Sequence, residues 1–215
     1  MTYGIASGSY STTVSGILTT SYTVTGLTAG VTYKFKVLSR NSYAVGAYST
    51  DIEVLAAQIP DTPIAPSTTI SATNVTLSIS WTAPNAQGSP ILGYMIYIRT
   101  SDGVTFTSDQ TNCNGANSVI LANAQCSIPI STLRSSVYNL PWGSSVWAKV
   151  VAYNLYGNSV VSPAGNGAVI LTLPDAPTTL AETVSQRSST SITFSWVAGP
   201  TNGGAPVLDY RVNYD

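Results

Sequence analysis

A chain of 215 residues with eight basic and nine acidic side chains carries a net charge of -1, which leaves no electrostatic footprint for nucleic acid or an anionic membrane. It contains no histidine, and this removes the commonest general base, the usual catalytic triads and most zinc or copper sites. Thirteen Tyr, 17 Gly and 12 Pro, set among abundant Ser and Thr, favour strands and tight turns over helices.

Taken in chain order, Met1 to Tyr10 has neither a basic start nor an apolar core, so no export signal is expected in this stretch. No apolar run approaches the roughly 20 residues of a membrane span. Tyr33, Phe35 and Val37 alternate with polar residues, the period of a strand that buries one face. Pro60-Asp61-Thr62-Pro63 reads as a stiff linker. Val75, Leu77, Ile79 and Trp81, then Tyr94, Ile96 and Ile98, then Val146, Ala148, Val150 and Ala152, are expected to face a core. In that reading Asn74 and Thr76 face outward, while Trp147 and Tyr153 project from the face opposite their neighbours. Pro174-Asp175-Ala176-Pro177 repeats the linker chemistry, and no segment shows a sustained helical period.

The chain repeats itself. Ile59-Pro60-Asp61-Thr62-Pro63 returns as Leu173-Pro174-Asp175-Ala176-Pro177, and Ser78-Ile79-Ser80-Trp81 returns as Thr193-Phe194-Ser195-Trp196. Pro84 to Ile91 matches Pro200 to Val207, and Tyr94-Met95-Ile96 matches Tyr210-Arg211-Val212. A second alignment places Leu27, Gly30, Tyr33, Val37 and Asn41 against Leu140, Gly143, Val146, Val150 and Asn154. A fixed period of this kind is the signature of a repeat architecture.

The proline-rich openings, the Trp ending a strand, the alternation of Tyr210, Val212 and Tyr214, the corner from Leu27 to Tyr33 and the Asn154-Leu155-Tyr156-Gly157 turn together resemble fibronectin type III domains, over essentially the whole chain. The resemblance implies an all-β fold of tandem immunoglobulin-like (fibronectin type III) β-sandwiches with seven strands in two sheets, and the alternation independently favours a sandwich. One domain is expected to be complete and two partial: residues 1–58 as the C-terminal part of a module, 59–173 as a whole module, and 174–215 as the N-terminal part of a further one. Core positions on this reading are Trp81, Trp196, Tyr94, Tyr210, Leu27 and Tyr33. Three departures stand out, the first being that the Asn41 turn has two extra residues before Gly46. The corner tyrosine is replaced by Val146 in the middle module, and residues 59–173 exceed the roughly 100 residues of an ordinary sandwich by a segment between Thr100 and Asn139.

Residues 1–58 are expected to hold four strands and residues 174–215 three, and together they match the length of one module of about 100 residues. A half sandwich leaves a core face open and strand edges unpaired. Completion is therefore expected from a neighbouring copy or from continuation of the same repeat, head to tail, the geometry that builds filaments. Charged residues at 8% with a mean hydropathy of +0.19 agree with such covering, by neighbours or by covalent glycans.

Cys113 and Cys126 lie in the extra segment of the middle module. They are either a disulfide closing a short loop, which would imply an oxidising compartment, or two buried thiols. With no histidine and no third thiol they do not make a metal site. Asn74-Val75-Thr76 is the single sequon, an N-glycosylation acceptor or an ordinary surface asparagine. Trp142, Trp147, Tyr153 and Tyr156 are candidates for stacking on glycans or anchoring a neighbour, unless the extra segment folds over them. Asp102 and Asp109 flank a glycine-containing hairpin tip and read as turn chemistry. No Arg-Gly-Asp tripeptide occurs, so the integrin-binding motif of some relatives is not carried over.

The sequence thus predicts a non-enzymatic structural protein, extracellular or at the cell surface, that forms a filament or fibre from tandem sandwiches. It is expected to need no cofactor or metal, to bind no nucleic acid and to insert in no membrane. The other class of reading is a spacer or carbohydrate-contacting module of a larger secreted enzyme or cell-surface receptor.

Overall fold

The computed structural model describes residues 1–73 and 75–214, so the expectation for Asn74 falls outside the described residues. Among the described residues the chain is all-β apart from two short helices and a 3-10 turn at Val184–Gln186. Its packing defines two compact units, one of Met1–Pro63, Ala83–Tyr94 and Val151–Val161, the other of Ile64–Thr82, Met95–Val150 and Ser162–Asp215.

The first unit contains a four-stranded antiparallel sheet of β1 (Thr2–Ile5), β2 (Thr12–Thr13), β3 (Thr32–Lys36) and β4 (Ile52–Leu55), in the order β2-β1-β3-β4. Tyr3 opposes Phe35 across β1 and β3, and their rings stack at 5.7 Å. Aromatic pairing of this kind adds about 0.5–1.5 kcal/mol to the burial itself. The corner predicted between Leu27 and Tyr33 forms: the Thr28 amide donates to the Tyr33 hydroxyl at 3.0 Å.

The middle of the chain supplies β5 (Ser67–Ile70), β6 (Thr76–Ser80), β7 (Gly93–Arg99), β8 (Phe106–Thr107), β9 (Gln125–Pro129), β10 (Ala148–Asn154) and β11 (Gly157–Asn158). They form a three-stranded sheet, β5-β6-β9, and a four-stranded sheet, β11-β10-β7-β8. This three-plus-four arrangement of antiparallel strands is an immunoglobulin-like sandwich, the fold that the resemblance to fibronectin type III domains implies.

Within the second unit the alternation expected from the sequence is realised. Leu77 and Ile79 of β6, Ile128 of β9, Ile96 and Ile98 of β7, and Val146, Ala148 and Val150 along the β10 stretch are completely buried. Each fully buried Leu, Ile or Val side chain contributes roughly 1.5–3 kcal/mol. Trp81 is 8% exposed, so its core assignment holds there, as does that of Tyr94 in the first unit. Thr68 is the polar pin of this core. Its hydroxyl donates to the Val146 carbonyl at 3.1 Å and accepts from the Ala168 amide at 2.9 Å, which satisfies a buried hydroxyl.

The last segment forms a hairpin of β12 (Thr178–Glu182) and β13 (Phe194–Val197) with an irregular register between Thr178 and Ala181. Residues 206–214 form no strand among the described residues.

Four expectations are corrected. Val75 is 58% exposed rather than inward, because β6 begins at Thr76 and the residue before it is not bound by the strand's alternation. Val37 is likewise exposed beyond the end of β3. Tyr210 is 45% exposed, and Trp196, Leu27 and Tyr33 are only half-buried. Trp196 and Tyr210 do meet edge to face at 5.4 Å, but in the second unit only the β12–β13 hairpin belongs to the same segment, so no second sheet seals them. Finally, helices exist where no helical period was visible: α1 (Ser118–Asn123) and α2 (Ile130–Arg134). At six and five residues they are too short to display one. The Asn117 side chain caps α1 by accepting from the amides of Val119 and Ile120.

Candidate functional site

The extra segment of the middle module is stapled and turned by its own side chains. Cys113 and Cys126 are joined in a disulfide, with 5.3 Å between their Cα atoms and both sulfurs buried. Cys126 lies on β9 opposite Ile79, so the bridge ties the segment directly to the core sheet. Asp102 closes the hairpin tip. It accepts from the hydroxyl of Thr105, the amides of Val104 and Thr105, and the hydroxyl of Thr100, and these bonds hold its carboxyl well below the usual carboxylate range. Asp109 accepts from the amides of Thr111 and Asn112 and from the Asn112 side chain. Both carboxylates are therefore occupied as turn formers. Near Asp109, burial first and the Asp109 charge second push the Tyr138 phenol up to about 12.

The four candidate stacking aromatics do not converge. Trp142 and Trp147 are each half-buried, and each faces a guanidinium: Arg134 stands 3.9 Å from the Trp142 ring centre and Arg99 stands 4.9 Å from that of Trp147. Trp142, Arg134, Val75 and Ile130 line a shallow open depression of about 490 Å³. Tyr153 lies over Gly93, where any Cβ would fall 2.4 Å from the phenol oxygen, whereas Tyr156 is exposed. A cation–π pair already occupies the two indole faces, so a sugar stacking there would displace an arginine. Among the described residues no group of three His, Cys, Asp or Glu could hold a metal ion, and no helix is long and apolar enough to cross a membrane.

Sequence reasoning missed what the linkers do. Beyond the stiffness their prolines predict, they are pinned by backbone hydrogen bonds, and the same joint is built twice. In the first unit, the Gly30 amide donates to the Ala56 carbonyl at 2.9 Å, Gln58 to Gln87 at 3.1 Å and Asp61 to Asn85 at 3.0 Å. In the second unit, Gly143 donates to Ile170 at 2.8 Å, Thr172 to Gly203 at 2.9 Å and Asp175 to Thr201 at 2.9 Å. The donors and acceptors are the repeat-equivalent residues throughout. Each joint also brings two glycine backbones together. A Cβ on Gly88 would stand 2.5 Å from the Gly30 nitrogen, and one on Gly204 would stand 2.2 Å from that of Gly143. Both Gly88 and Gly204 have positive φ, at 85° and 91°, so glycine is required twice over.

The first joint carries one more element. Asn154, only 5% exposed, donates from Nδ2 to the Gln58 carbonyl at 2.7 Å and to that of Ala86 at 3.2 Å, while its Oδ1 accepts from the Tyr156 amide. One buried amide thus ties the linker and the loop to the turn after β10.

Apolar side chains of the outer segments remain uncovered. Tyr22, Ile52 and Val54 in the first segment, and Phe194, Leu208, Tyr210 and Val212 in the last, are exposed.

No family model matches the chain. It is 37% identical over 86 residues to a Kelch domain-containing protein of Saccharolobus solfataricus, covering 40% of this chain and 12% of that protein. It is 27% identical over 143 residues to a Kelch domain-containing protein of Sulfurisphaera tokodaii, covering 66% and 16%. It is also 29% identical over 212 residues to Exoglucanase B of Cellulomonas fimi, covering 94% and 17%. The chain therefore spans less than a fifth of the length of these curated relatives. Among solved structures, titin domains A168–A170 are similar with a TM-score of 0.42 at 17% identity, over 66% of this chain and 41% of that one. The FN1–FN3 domains of chicken CNTN1 give 0.40 at 17%, over 80% and 54%. The class that the strand order defines is an all-β protein of the immunoglobulin-like and fibronectin type III-like sandwich fold.

Proposed function

We propose that the chain is a structural segment of an extracellular filament or surface fibre. In this reading residues 59–173 are a whole fibronectin type III-like module, and residues 1–58 and 174–215 are parts of modules completed head to tail by a neighbouring copy or by continuation of the same repeat. The observation that carries it is the contrast in burial: the middle sandwich seals Leu77, Ile79, Ile96 and Ile98, while the outer segments leave Ile52, Val54, Phe194 and Tyr210 in solvent. Ile52 and Val54 stand two residues apart on β4, so they share one face of that strand, and an exposed apolar face fits an association surface. The sheet order β2-β1-β3-β4 of the first segment has the same hairpin pattern as β8-β7-β10-β11 of the middle module, and among the described residues of that segment no three-stranded sheet faces it. The β12–β13 hairpin is the repeat-equivalent of two strands of the middle module's three-stranded sheet.

The Cys113–Cys126 disulfide supports a secreted or surface location. The module is read as non-catalytic, with covalent glycans as a further covering at Asn74. Electron microscopy of native material tests the reading: regular fibres are expected, and a monodisperse single chain at all concentrations would refute it.

One observation favours a second reading, a spacer or carbohydrate-contacting module of a larger secreted enzyme or receptor. Nearly the whole chain aligns with 17% of a protein named an exoglucanase. Binding to insoluble cellulose, lost in Tyr156→Ala, would support this alternative over the fibre.

A further inference from the structure

The turn after β3 carries a twin of Asn154. Asn41 precedes it by one repeat, and the surrounding framework is the same: the Val37 amide donates to the Ser49 hydroxyl at 3.0 Å, just as the Val150 amide donates to the Ser162 hydroxyl at 2.9 Å. Asn41 Oδ1 caps its own turn by accepting from the amides of Tyr43 and Ala44, as Asn154 Oδ1 does for Tyr156. The two differ in the other half of the amide. Asn154 is buried, with Nδ2 held by the carbonyls of Gln58 and Ala86; Asn41 is exposed, and no hydrogen bond is formed by its Nδ2 among the described residues.

The complementary half is preformed elsewhere in the chain. Thr172 is the repeat-equivalent of Gln58, and Asn202 is that of Ala86. The bonds from Thr172 to Gly203 and from Asp175 to Thr201 already shape this linker and loop as in the first joint. Both Thr172 and Asn202 are exposed, and their carbonyls accept no hydrogen bond among the described residues.

We propose that Asn41 is the open donor half of a third joint, and that its partner is the linker and loop of a second copy of this chain, with the Thr172 and Asn202 carbonyls standing where those of Gln58 and Ala86 stand around Asn154. The inference deepens the split-module reading and rests on it. It adds the contact that would set the register between copies, because a donor amide and two carbonyls fit one arrangement, whereas apolar faces alone tolerate several.

Asn41→Asp is the discriminating variant. It keeps the oxygen that caps the turn, removes both donors and turns a negative charge toward carbonyls. Self-association of the full chain is measured by sedimentation velocity over a concentration series, with the thermal transition recorded alongside. The wild type is expected to associate, and Asn41→Asp to do so about tenfold or more weakly, as for loss of a buried hydrogen bond, with the thermal transition of the monomer unchanged. In a second arm, differently tagged chains carrying Asn41→Cys and Asn202→Cys are mixed and treated with a short bismaleimide. Covalent linkage between the two tags is expected. A wild type that stays monomeric throughout overturns the split-module reading and this joint with it. A wild type that associates while Asn41→Asp associates equally well, or while linkage forms only within one chain or not at all, overturns the joint and leaves the split-module reading standing.

Discussion

The middle sandwich and the outer segments share a recurring residue pattern, yet among the described residues the middle one is closed and the outer segments are open. Trp81 and Trp196 occupy equivalent positions at the end of equivalent strands. The first is nearly inaccessible, and the second is half-buried against a single exposed tyrosine. The difference is not in the residues but in the presence of a facing sheet. Strand pattern therefore specifies which face is apolar, and a second layer decides whether that face becomes a core.

The largest expected effect lies in that pair. Trp81→Ala should lower stability by about 3–5 kcal/mol, read by chemical denaturation, whereas Trp196→Ala should cost the isolated chain well under half of that. Equal losses would erase the distinction between closed and open halves. Next, replacing both Cys113 and Cys126 with Ser should cost about 3 kcal/mol through the short loop they close, and should leave the outer segments' hydrogen exchange unchanged.

An alkaline limb should follow from Tyr138. Its folded value of about 12 lies above the ordinary 10.0, so the neutral phenol is favoured in the folded state. The associated stability is fully present below pH 10 and is lost as pH rises toward 12, to a total of about 2–3 kcal/mol. The Tyr138 hydroxyl is buried and has no hydrogen-bond partner among the described residues. Tyr138→Phe should therefore be nearly neutral at pH 7 and should flatten that limb in a pH series of thermal melts.

The smallest effect compares two left-handed glycines. Gly103→Ala, with open space around the new methyl, should cost about 1–2 kcal/mol of backbone strain alone. Gly88→Ala carries the same strain and in addition collides with the Gly30 backbone, so the Gln58 amide should lose its exchange protection while that of Thr172 keeps it.

Much of this was legible in the sequence. The alternation from Leu77 to Trp81 and from Val146 to Ala152 located the middle core, and the two linkers marked the repeats. The corner from Leu27 to Tyr33 was legible through the resemblance to fibronectin type III domains, and the Tyr33 hydroxyl closes it by accepting from the Thr28 amide. Three features were hidden for identifiable reasons. The helices α1 and α2 are shorter than the window in which a helical period can be seen. The burial of Tyr210 and Trp196 depends on strands that the sequence pattern cannot supply. The joints are made by backbone groups of Gly30, Gln58 and Asp61, whose hydrogen bonds leave no trace in side-chain chemistry. A signal did exist for the joints: Gly30 and Gly143 recur at equivalent positions, as do Gly88 and Gly204, and a glycine kept at the same place in two copies points to close backbone approach.

The central claim is that the open faces of the outer segments are covered in the working assembly. Hydrogen exchange of the native material, followed by mass spectrometry on peptides covering residues 20–26 and 206–214, tests it most directly, because neither stretch forms a strand in the single chain. Protection in both, approaching that of β6 and β9, is the result predicted. Exchange within seconds in both, with β6 and β9 still protected, would contradict it.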